Sequence, residues 1–262
     1  MDNAYKDEFF LAGIQLADLA STISQKYFRS AIDVNSKQDS SPVTLVDQKI
    51  ERSLRDWLKV NYPQHGIVGE EYAGEDVQAK YTWVIDPIDG TISFATGKPI
   101  FSTLIALLED NNPVIGIIDQ PISNERFIGV INSGAWVNGK KMTTSSQTQV
   151  AHARLNATTP YMFKTELEQK KFDLLRRNVS ITGFGGDGYA YGLLADGHID
   201  IIMEADLKFY DVAAVKTIIE ESGGIITDWS GNHINQQNFV GQCLACCNKQ
   251  LHESVLEIIN QV

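Results

Sequence analysis

Tyr81-Thr-Trp-Val-Ile-Asp86-Pro-Ile-Asp89-Gly-Thr91 joins a strand-forming run to a turn that carries two acids. Its aromatic and β-branched beginning predicts a buried strand over 81–86, and the proline and glycine that follow predict the end of that strand. Two carboxylates and a hydroxyl group come together there. Mg²⁺ prefers oxygen ligands, and the N–H groups of a Gly-Thr turn that opens a helix can bind an anion. The stretch therefore predicts a site for a cation and a phosphate, although Asp-Pro and Asp-Gly also occur in ordinary surface turns.

Size and charge limit what the chain can bind. Its 262 residues are enough for one large α/β domain or for two subdomains, and 43% hydrophobic and 21% charged residues are ordinary for a globular protein. The formal net charge of −11 argues against nucleic acid as a partner, because binding a phosphate backbone needs a surplus of Lys and Arg. It does not argue against a small phosphate ester, since bound metal ions can receive the phosphate.

No segment predicts a membrane span or a secretory leader. The apolar runs fall short of the roughly 20 residues that a spanning helix needs, and the N-terminus carries acids where a signal peptide is basic. We therefore predict a cytoplasmic protein with no membrane partner. Cys243, Cys246 and Cys247 include a Cys-x-x-Cys pair, but without a second pair or a paired histidine they are better explained as small buried strand residues. None of the five histidines has the spacing of a metal site or a catalytic triad.

The first half of the chain predicts two helices and a largely antiparallel sheet. Apolar residues recur at helical spacing from 8 to 28, and the polar stretch from 29 to 42 predicts a loop. Thr44 and Asp47 fit a capping box that opens a second helix, which gives Asp47 an alternative role as a helix cap. A short strand then runs into Glu70 and Glu71, two acids that alone would indicate a solvated turn. Further strands are predicted at 81–86, 101–108, 114–119, 127–131 and 135–137.

The second half alternates between strands and helices, which is typical of helices packed on a sheet. Strands are predicted at 153–158, 179–184, 199–203, 224–227 and 243–247. Helices are predicted at 166–176, from the Gly185-Gly186 pair through Leu194, at 211–221 and at 250–259.

Four motifs, in this order along the chain, resemble the inositol monophosphatase superfamily of Mg²⁺-dependent phosphatases. They are Pro42-Val-Thr-Leu-Val-Asp47, Gly69-Glu-Glu71, Asp86-Pro-Ile-Asp-Gly-Thr91 after Trp83-Val-Ile, and Lys208-Phe-Tyr-Asp211-Val-Ala-Ala with Ser222-Gly-Gly224 beyond it. The resemblance covers essentially the whole chain. It implies an αβαβα sandwich of alternating helix and sheet layers, with an N-terminal α+β subdomain over 1–145, a C-terminal α/β subdomain over 146–262, and the active site between them.

Within the superfamily the chain is most similar to the histidinol-phosphate phosphatase branch. The residues that carry this similarity are Gly116-Ile-Ile-Asp-Gln-Pro121 with Glu125-Arg126, Gly185-Gly-Asp-Gly-Tyr-Ala-Tyr-Gly-Leu-Leu-Ala195, and Ile226-Thr-Asp-Trp-Ser-Gly231. The resemblance implies hydrolysis of a small phosphate monoester, histidinol phosphate, in histidine biosynthesis, by a homodimer.

The superfamily resemblance also implies a set of metal ligands and catalytic groups. The ligands of two or three Mg²⁺ ions would be the side chains of Glu70, Asp86, Asp89 and Asp211 and the main-chain carbonyl of Ile88. Asp47 and Thr91 would orient the attacking water together with Glu70, with no covalent phosphoenzyme. The N–H groups of Gly90 and Thr91 would hold phosphate oxygens, next to Asp89 and Asp211.

The leaving group would lie against Gly185, Gly186, Asp187 and Glu204. Two acids suit a leaving group that is cationic or rich in hydroxyl groups, so histidinol and inositol both fit, whereas adenosine bisphosphate would need basic contacts. Asp187 has an alternative role as the N-cap of the helix that follows it.

Three departures from the branch pattern affect the substrate and not the metal chemistry. Ile92 stands where many relatives carry a basic residue, Lys98 stands where an apolar residue is common, and Gly188 next to Asp187 would enlarge the specificity pocket. Two alternatives follow: an inositol monophosphatase or broad sugar-phosphate phosphatase, and a catalytically silent relative that serves as a regulatory binding module. The presence of every expected ligand argues against the silent relative.

Overall fold

The computed structural model describes residues 3–30, 34–36 and 42–262. This part of the chain contains seven α-helices and fourteen strands. The helices are α1 (Asn3–Tyr27), α2 (Leu45–Asn61), α3 (Thr91–Ala95), α4 (Glu166–Arg176), α5 (Asp187–Ala195), α6 (Phe209–Glu221) and α7 (Lys249–Ile259). The strands are β1 (Val34–Ser36), β2 (Pro42–Thr44), β3 (Gly66–Gly69), β4 (Tyr81–Asp89), β5 (Ser102–Glu109), β6 (Asn112–Gln120), β7 (Glu125–Val130), β8 (Gly134–Val137), β9 (Lys140–Lys141), β10 (Arg154–Ala157), β11 (Ile181–Phe184), β12 (Ile201–Glu204), β13 (Ile225–Thr227) and β14 (Cys243–Cys246).

The first large sheet has seven strands in the order β3-β4-β5-β6-β7-β8-β9. Every pair is antiparallel except β3 and β4, which run parallel, so the prediction of a largely antiparallel sheet is confirmed. α1 and α2 cover one face: Leu16 and Leu54 from these helices pack in one buried cluster with Trp83 and Ile117 from the sheet. Burial of such side chains is the main force that holds helix to sheet.

The second large sheet has five strands in the order β11-β10-β12-β14-β13 and is mixed. β10 runs parallel to both of its neighbours, whereas β14 runs antiparallel to β12 and β13. α4 and α7 pack on its outer face, where Phe172 and Leu251 join Leu155 in a buried cluster.

α5 and α6 lie between the two sheets. Leu194 and Ile218 from these helices share a buried cluster with Phe127 of the first sheet and Ile202 of the second. α6 approaches the first sheet closely at Gly116. A Cβ added there would lie 2.0 Å from the carbonyl oxygen of Ala214, so the absence of a side chain permits this approach. The layers therefore follow the order helix, sheet, helix, sheet, helix, which confirms the predicted αβαβα sandwich.

The structure changes several predicted boundaries in the first half. α1 begins at Asn3, earlier than predicted, and part of the expected loop at 29–42 instead forms the antiparallel pair β1–β2. Residues 31–33 and 37–41 of that loop, and the side chain of Thr44 with its predicted capping box, lie outside the described part. β4 continues through Pro87 to Asp89 and does not end at Asp86.

The two large sheets come from separate stretches of the chain, 66–141 and 154–246. The predicted subdomain boundary between 145 and 146 falls in the connection between these stretches and stays a prediction. None of the helices in the described part of the chain combines the length and the apolar character that crossing a membrane requires.

Candidate active site

A β-bulge at the end of β4 shapes the centre of the site. Asp86 pairs with Leu104 and Asp89 with Ser102, so one extra residue of β4 is accommodated between them. Residues three apart on a regular strand point to opposite faces. A bulge with one extra residue brings the two side chains back to the same face. Asp86, Asp89 and Asp211 consequently each place a carboxylate oxygen within 4.8 Å of the others. We refer to these three as the carboxylate cluster.

Pro87 is tolerated in the middle of this strand because of where its neighbour ends. β3 pairs with β4 only as far as Gly69 opposite Ile85. On that side Pro87 therefore has no ladder partner that would need its missing N–H. Its carbonyl oxygen accepts a hydrogen bond of 2.7 Å from the buried hydroxyl of Thr103, which holds the bulge against β5.

The other side of the carboxylate cluster comes from the beginnings of α6 and α5. Asp211 lies in the first turn of α6, where one of its oxygens accepts the N–H of Lys208 at 2.6 Å. In α5 the N–H of Gly188 donates to Asp89. A Cβ on Gly188 would lie 2.4 Å from the Asp89 carboxylate, so a side chain there would displace Asp89. Gly188 thus has a steric role beyond the predicted enlargement of the pocket.

Burial and mutual repulsion disfavour ionisation of the carboxylate cluster. Burial, followed by the charges of Glu70, Asp89, Asp211 and Asp47, raises the pKa of Asp86 well above its usual range. Burial also raises the pKa of Asp89, and it raises the pKa of Asp211 to about 8 although the Lys208 N–H opposes it. Among the described residues, the buried Oδ1 of Asp86 has no hydrogen-bond partner. Like charges and an unsatisfied oxygen are the setting that a divalent cation would stabilise.

Glu70 and Asp47 lie at the edge of the carboxylate cluster. The parallel register of β3 and β4 places Glu70 and Asp86 directly after paired residues at the same end of the sheet. Glu70 is not one of the three clustered carboxylates, yet its charge acts on both Asp86 and Asp211. Asp47 is buried in the first turn of α2, and its charge also acts on Asp86.

Thr91 and the carbonyl of Ile88 are in direct contact. The Thr91 hydroxyl donates to the Ile88 oxygen at 3.1 Å, so the predicted water-orienting group and the predicted main-chain ligand are adjacent. Gly90 precedes the five-residue helix α3 with a φ of 85°, a left-handed conformation that glycine adopts without strain. A Cβ on Gly90 would lie 2.7 Å from the Asp187 carboxylate, so α5 and this turn pack tightly together.

The predicted leaving-group residues occupy the start of α5 and the end of β12. Gly185 and Gly186 both have positive φ, and Gly186, not Asp187, is the N-cap residue of α5, so the alternative role of Asp187 as N-cap is wrong. Burial and the charge of Glu204 raise the pKa of Asp187 to about 7, although hydroxyl groups of Ser93 and Thr158 and the charge of Lys98 oppose the shift.

Glu204 is more deeply buried than the sequence suggests. Only 2% of its surface is exposed. One oxygen accepts the Thr158 N–H at 2.7 Å and the other accepts the Tyr191 hydroxyl at 2.8 Å. Glu204 therefore already has protein partners for both oxygens, and its charge acts on Asp187 and Asp211 from within the core.

Sequence reasoning missed a buried ion pair beside this site. Glu51 and Arg55, one turn apart on α2, bond at 2.7 Å and contact the backbone that follows Glu70. The signal was present in the sequence, because Asp47 and Glu51 are also one helical turn apart and so share a face of α2.

Two of the histidines and all three cysteines take structural roles. In the described residues no histidine or cysteine belongs to a group of three potential metal ligands. His65 accepts a hydrogen bond from the Trp83 indole, and buried His252 bonds the hydroxyl of Thr227. All three cysteines are free and buried in or next to β14, which confirms their interpretation as small buried strand residues.

Comparison with known proteins agrees with this geometry. The model of the inositol monophosphatase family matches residues 6–262. The chloroplastic bifunctional phosphatase IMPL2 of Arabidopsis thaliana is 44% identical over 227 residues, which make up 86% of this chain but only 65% of that protein. The histidinol-phosphatase of Mycobacterium tuberculosis is 31% identical over 264 residues, covering 97% of this chain and 98% of that protein.

A solved structure extends the similarity to the fold. An inositol monophosphatase from Zymomonas mobilis superimposes with a TM-score of 0.88 at 42% identity, covering 99% of this chain and all of that one. The family match, the sequence identities and the shared layers lead to one conclusion: the chain belongs to the inositol monophosphatase family of phosphatases.

Proposed function

We propose that this protein is a Mg²⁺-dependent phosphomonoesterase and that its substrate is histidinol phosphate. The observation that carries the proposal is the carboxylate cluster, in which three acids from β4 and α6 meet and one buried oxygen of Asp86 has no partner in the described chain. Oxygen ligands of this kind select hard divalent cations such as Mg²⁺.

The residues present fit two or three Mg²⁺ ions. Asp86, Asp89 and Asp211 would hold them, with Glu70 and the Ile88 carbonyl completing the ligand set. Bound Mg²⁺ would neutralise charge on the phosphoryl group and lower the pKa of water, which supplies a nucleophile at neutral pH.

The chain's own groups would bind the phosphate and orient the water. The N–H groups of Gly90 and Thr91 lie at the start of α3 and would donate to phosphate oxygens. The Thr91 hydroxyl already donates its proton to the Ile88 carbonyl, so its oxygen is left to accept a hydrogen bond from the attacking water. Asp47 and Glu70, whose charges both act on Asp86, would hold the other proton of that water.

The leaving group would be recognised by the acids beside Gly185 and Gly186. A histidinol ammonium or imidazolium next to Asp187 would stabilise the ionised carboxylate, whose pKa burial and Glu204 otherwise raise. Glu204 would contact the leaving group directly only if the substrate displaced the Tyr191 hydroxyl, which donates to Glu204 in the structure. The relative named histidinol-phosphatase supports this choice. The structural likeness to a protein named inositol monophosphatase favours inositol phosphate as the second candidate.

One assay separates the candidates. Phosphate release would be measured in Mg²⁺ with histidinol phosphate, inositol 1-phosphate and adenosine 3′,5′-bisphosphate. We expect the highest kcat/KM with histidinol phosphate. A preference of about tenfold or more for inositol 1-phosphate, which corresponds to about 1.4 kcal/mol, would contradict the histidinol assignment but not the phosphatase chemistry. Absence of release from all three would favour the silent binding module. A role in histidine biosynthesis, a homodimer and a cytoplasmic location stay predictions.

A further inference from the structure

We propose that Glu51 and Arg55 position Glu70 for metal binding by clamping the chain on both sides of it. This inference rests on the proposed Mg²⁺ site. It concerns two positioning residues that would not touch the metal or the substrate themselves.

Glu51 holds the backbone just after Glu70. One of its carboxylate oxygens accepts the Glu71 N–H at 2.7 Å, and the other accepts the Tyr72 N–H at 3.3 Å. The carboxylate is fully buried, so these hydrogen bonds do not compete with solvent.

The same carboxylate packs against the residue just before Glu70. A Cβ on Gly69 would lie 2.0 Å from a Glu51 oxygen, so any side chain at 69 would displace that carboxylate. Gly69 is also the last residue of β3 and is paired with Ile85 of β4. Glu70 therefore follows directly from a strand that is in register with Asp86, and Glu51 contacts its neighbours on both sides.

Arg55 completes the clamp. Its Nε donates to Glu51 at 2.7 Å, and its two terminal nitrogens donate to the Tyr72 carbonyl at 3.0 Å and to Glu75 at 3.1 Å. The side chains of Glu51 and Arg55 are 0% and 5% exposed. A buried charge requires a paired counter-charge, so the Glu51 carboxylate keeps its place only while Arg55 is present.

The position of the pair on α2 points to the site and not only to stability. Asp47, whose charge acts on Asp86, lies one turn before Glu51 on the same face of α2. This helix thus supplies one predicted water-orienting acid and the support of one predicted metal ligand. Groups that orient a ligand from behind typically change metal affinity by about 10- to 100-fold when they are removed.

The test is Glu51→Gln, which keeps the shape of the side chain but removes its charge. We expect the Mg²⁺ Kd, measured by titration calorimetry, to rise about 10- to 100-fold, and added Mg²⁺ to restore much of the lost phosphate release. Arg55→Lys, which keeps the charge but loses the planar fork that reaches Tyr72, should give a smaller rise of the same kind. Circular dichroism would establish that both variants are folded.

Asp200→Asn is the matched control. Asp200 is also a buried carboxylate, 1% exposed, paired with the guanidinium and the backbone N–H of Arg154 at 2.8 Å, but it lies beside the second sheet. The substitution Asp200→Asn should lower Tm without changing the Mg²⁺ Kd.

The outcomes are distinct. An unchanged Mg²⁺ Kd in folded Glu51→Gln and Arg55→Lys, with only Tm lowered as in Asp200→Asn, would overturn the positioning role. If Glu51→Gln does not fold, the result for Arg55→Lys decides. If the wild-type protein binds no Mg²⁺, the proposed function itself fails, and the inference fails with it.

Discussion

Two acids of unequal exposure lie on the proposed leaving-group side of the site. Asp187 is partly exposed at the start of α5, whereas Glu204 is buried and bonded to Thr158 and Tyr191. Only Asp187 is therefore placed to meet a substrate without rearrangement. Glu204 acts on it through charge, because it raises the Asp187 pKa.

Substitution of these acids should affect substrates unequally. A carboxylate opposite a cationic group forms a hydrogen bond worth about 1.5–3 kcal/mol, which corresponds to about 10- to 150-fold in kcat/KM. We expect Asp187→Asn to cause this loss with histidinol phosphate and to change hydrolysis of p-nitrophenyl phosphate little. Glu204→Gln should lower stability, since it disturbs two buried hydrogen bonds, and should change selectivity less than Asp187→Asn does, since Glu204 acts on Asp187 only through its charge. An equal loss with both substrates would show that these acids serve the fold or the metals.

At the scale of elements, local patterns were predictable and long-range contacts were not. The predicted helix at 166–176 matches α4 to the residue, and the structure shows a capping box between Thr165 and Glu168, which are only three apart in sequence. The bulge in β4 was not predictable, because it depends on pairing with β5. The need for glycine at 188 was not predictable either, because it arises from contact with Asp89, which is distant in sequence.

The proposed ligand set was named for a different reason. Glu70, Asp86, Asp89 and Asp211 came from resemblance to a family, and no spacing in the sequence brings Asp211 to the other acids. In the structure it is packing of α6 between the sheets that does so. The Glu51–Arg55 pair was missed because the one signal in the sequence, the helical spacing of Asp47 and Glu51, does not reveal that Glu51 contacts the backbone of Glu71 and Tyr72.

Loss of the hydrogen bond between Thr103 and Pro87, which holds the β4 bulge, should lower both stability and activity. In Thr103→Val the Pro87 carbonyl loses its buried donor, which should lower the free energy of unfolding by about 1–3 kcal/mol and reduce kcat by moving Asp86 relative to Asp89. Urea unfolding and phosphate release would measure both effects.

Thr217→Val provides the control. The Thr217 hydroxyl is buried without a hydrogen-bond partner among the described residues, so this substitution should be neutral or stabilising. An equal loss of unfolding free energy and of kcat in Thr103→Val and Thr217→Val would contradict a special role for the hydrogen bond from Thr103 to Pro87.

For the whole molecule, we expect the buried acids to make stability depend on cations and on pH. The folded-state pKa of Asp211, about 8, lies above its ordinary value of about 3.9, so the folded protein binds more protons than the unfolded chain between these values. Stability of the metal-free protein should therefore fall as pH rises from about 4 to about 8.

Mg²⁺ should reverse this loss, because it stabilises the ionised carboxylates. Tm measured with and without Mg²⁺ should differ more at pH 8 than at pH 5. The difference should shrink in Asp211→Asn. A Tm gain from Mg²⁺ that is independent of pH and of Asp211 would indicate that the ion binds elsewhere.

The central claim is that the carboxylate cluster is the metal centre of a phosphatase. The most direct measurement is phosphate release from histidinol phosphate as a function of Mg²⁺ concentration, for the wild-type protein and for Asp86→Asn. We expect release by the wild type to require Mg²⁺, to saturate with it and to stop when a chelator is added. Asp86→Asn should lower kcat/KM by about 100-fold or more, since charge stabilisation by a metal is worth several kcal/mol. Release that continues unchanged in the presence of chelator, or in Asp86→Asn, would contradict this claim.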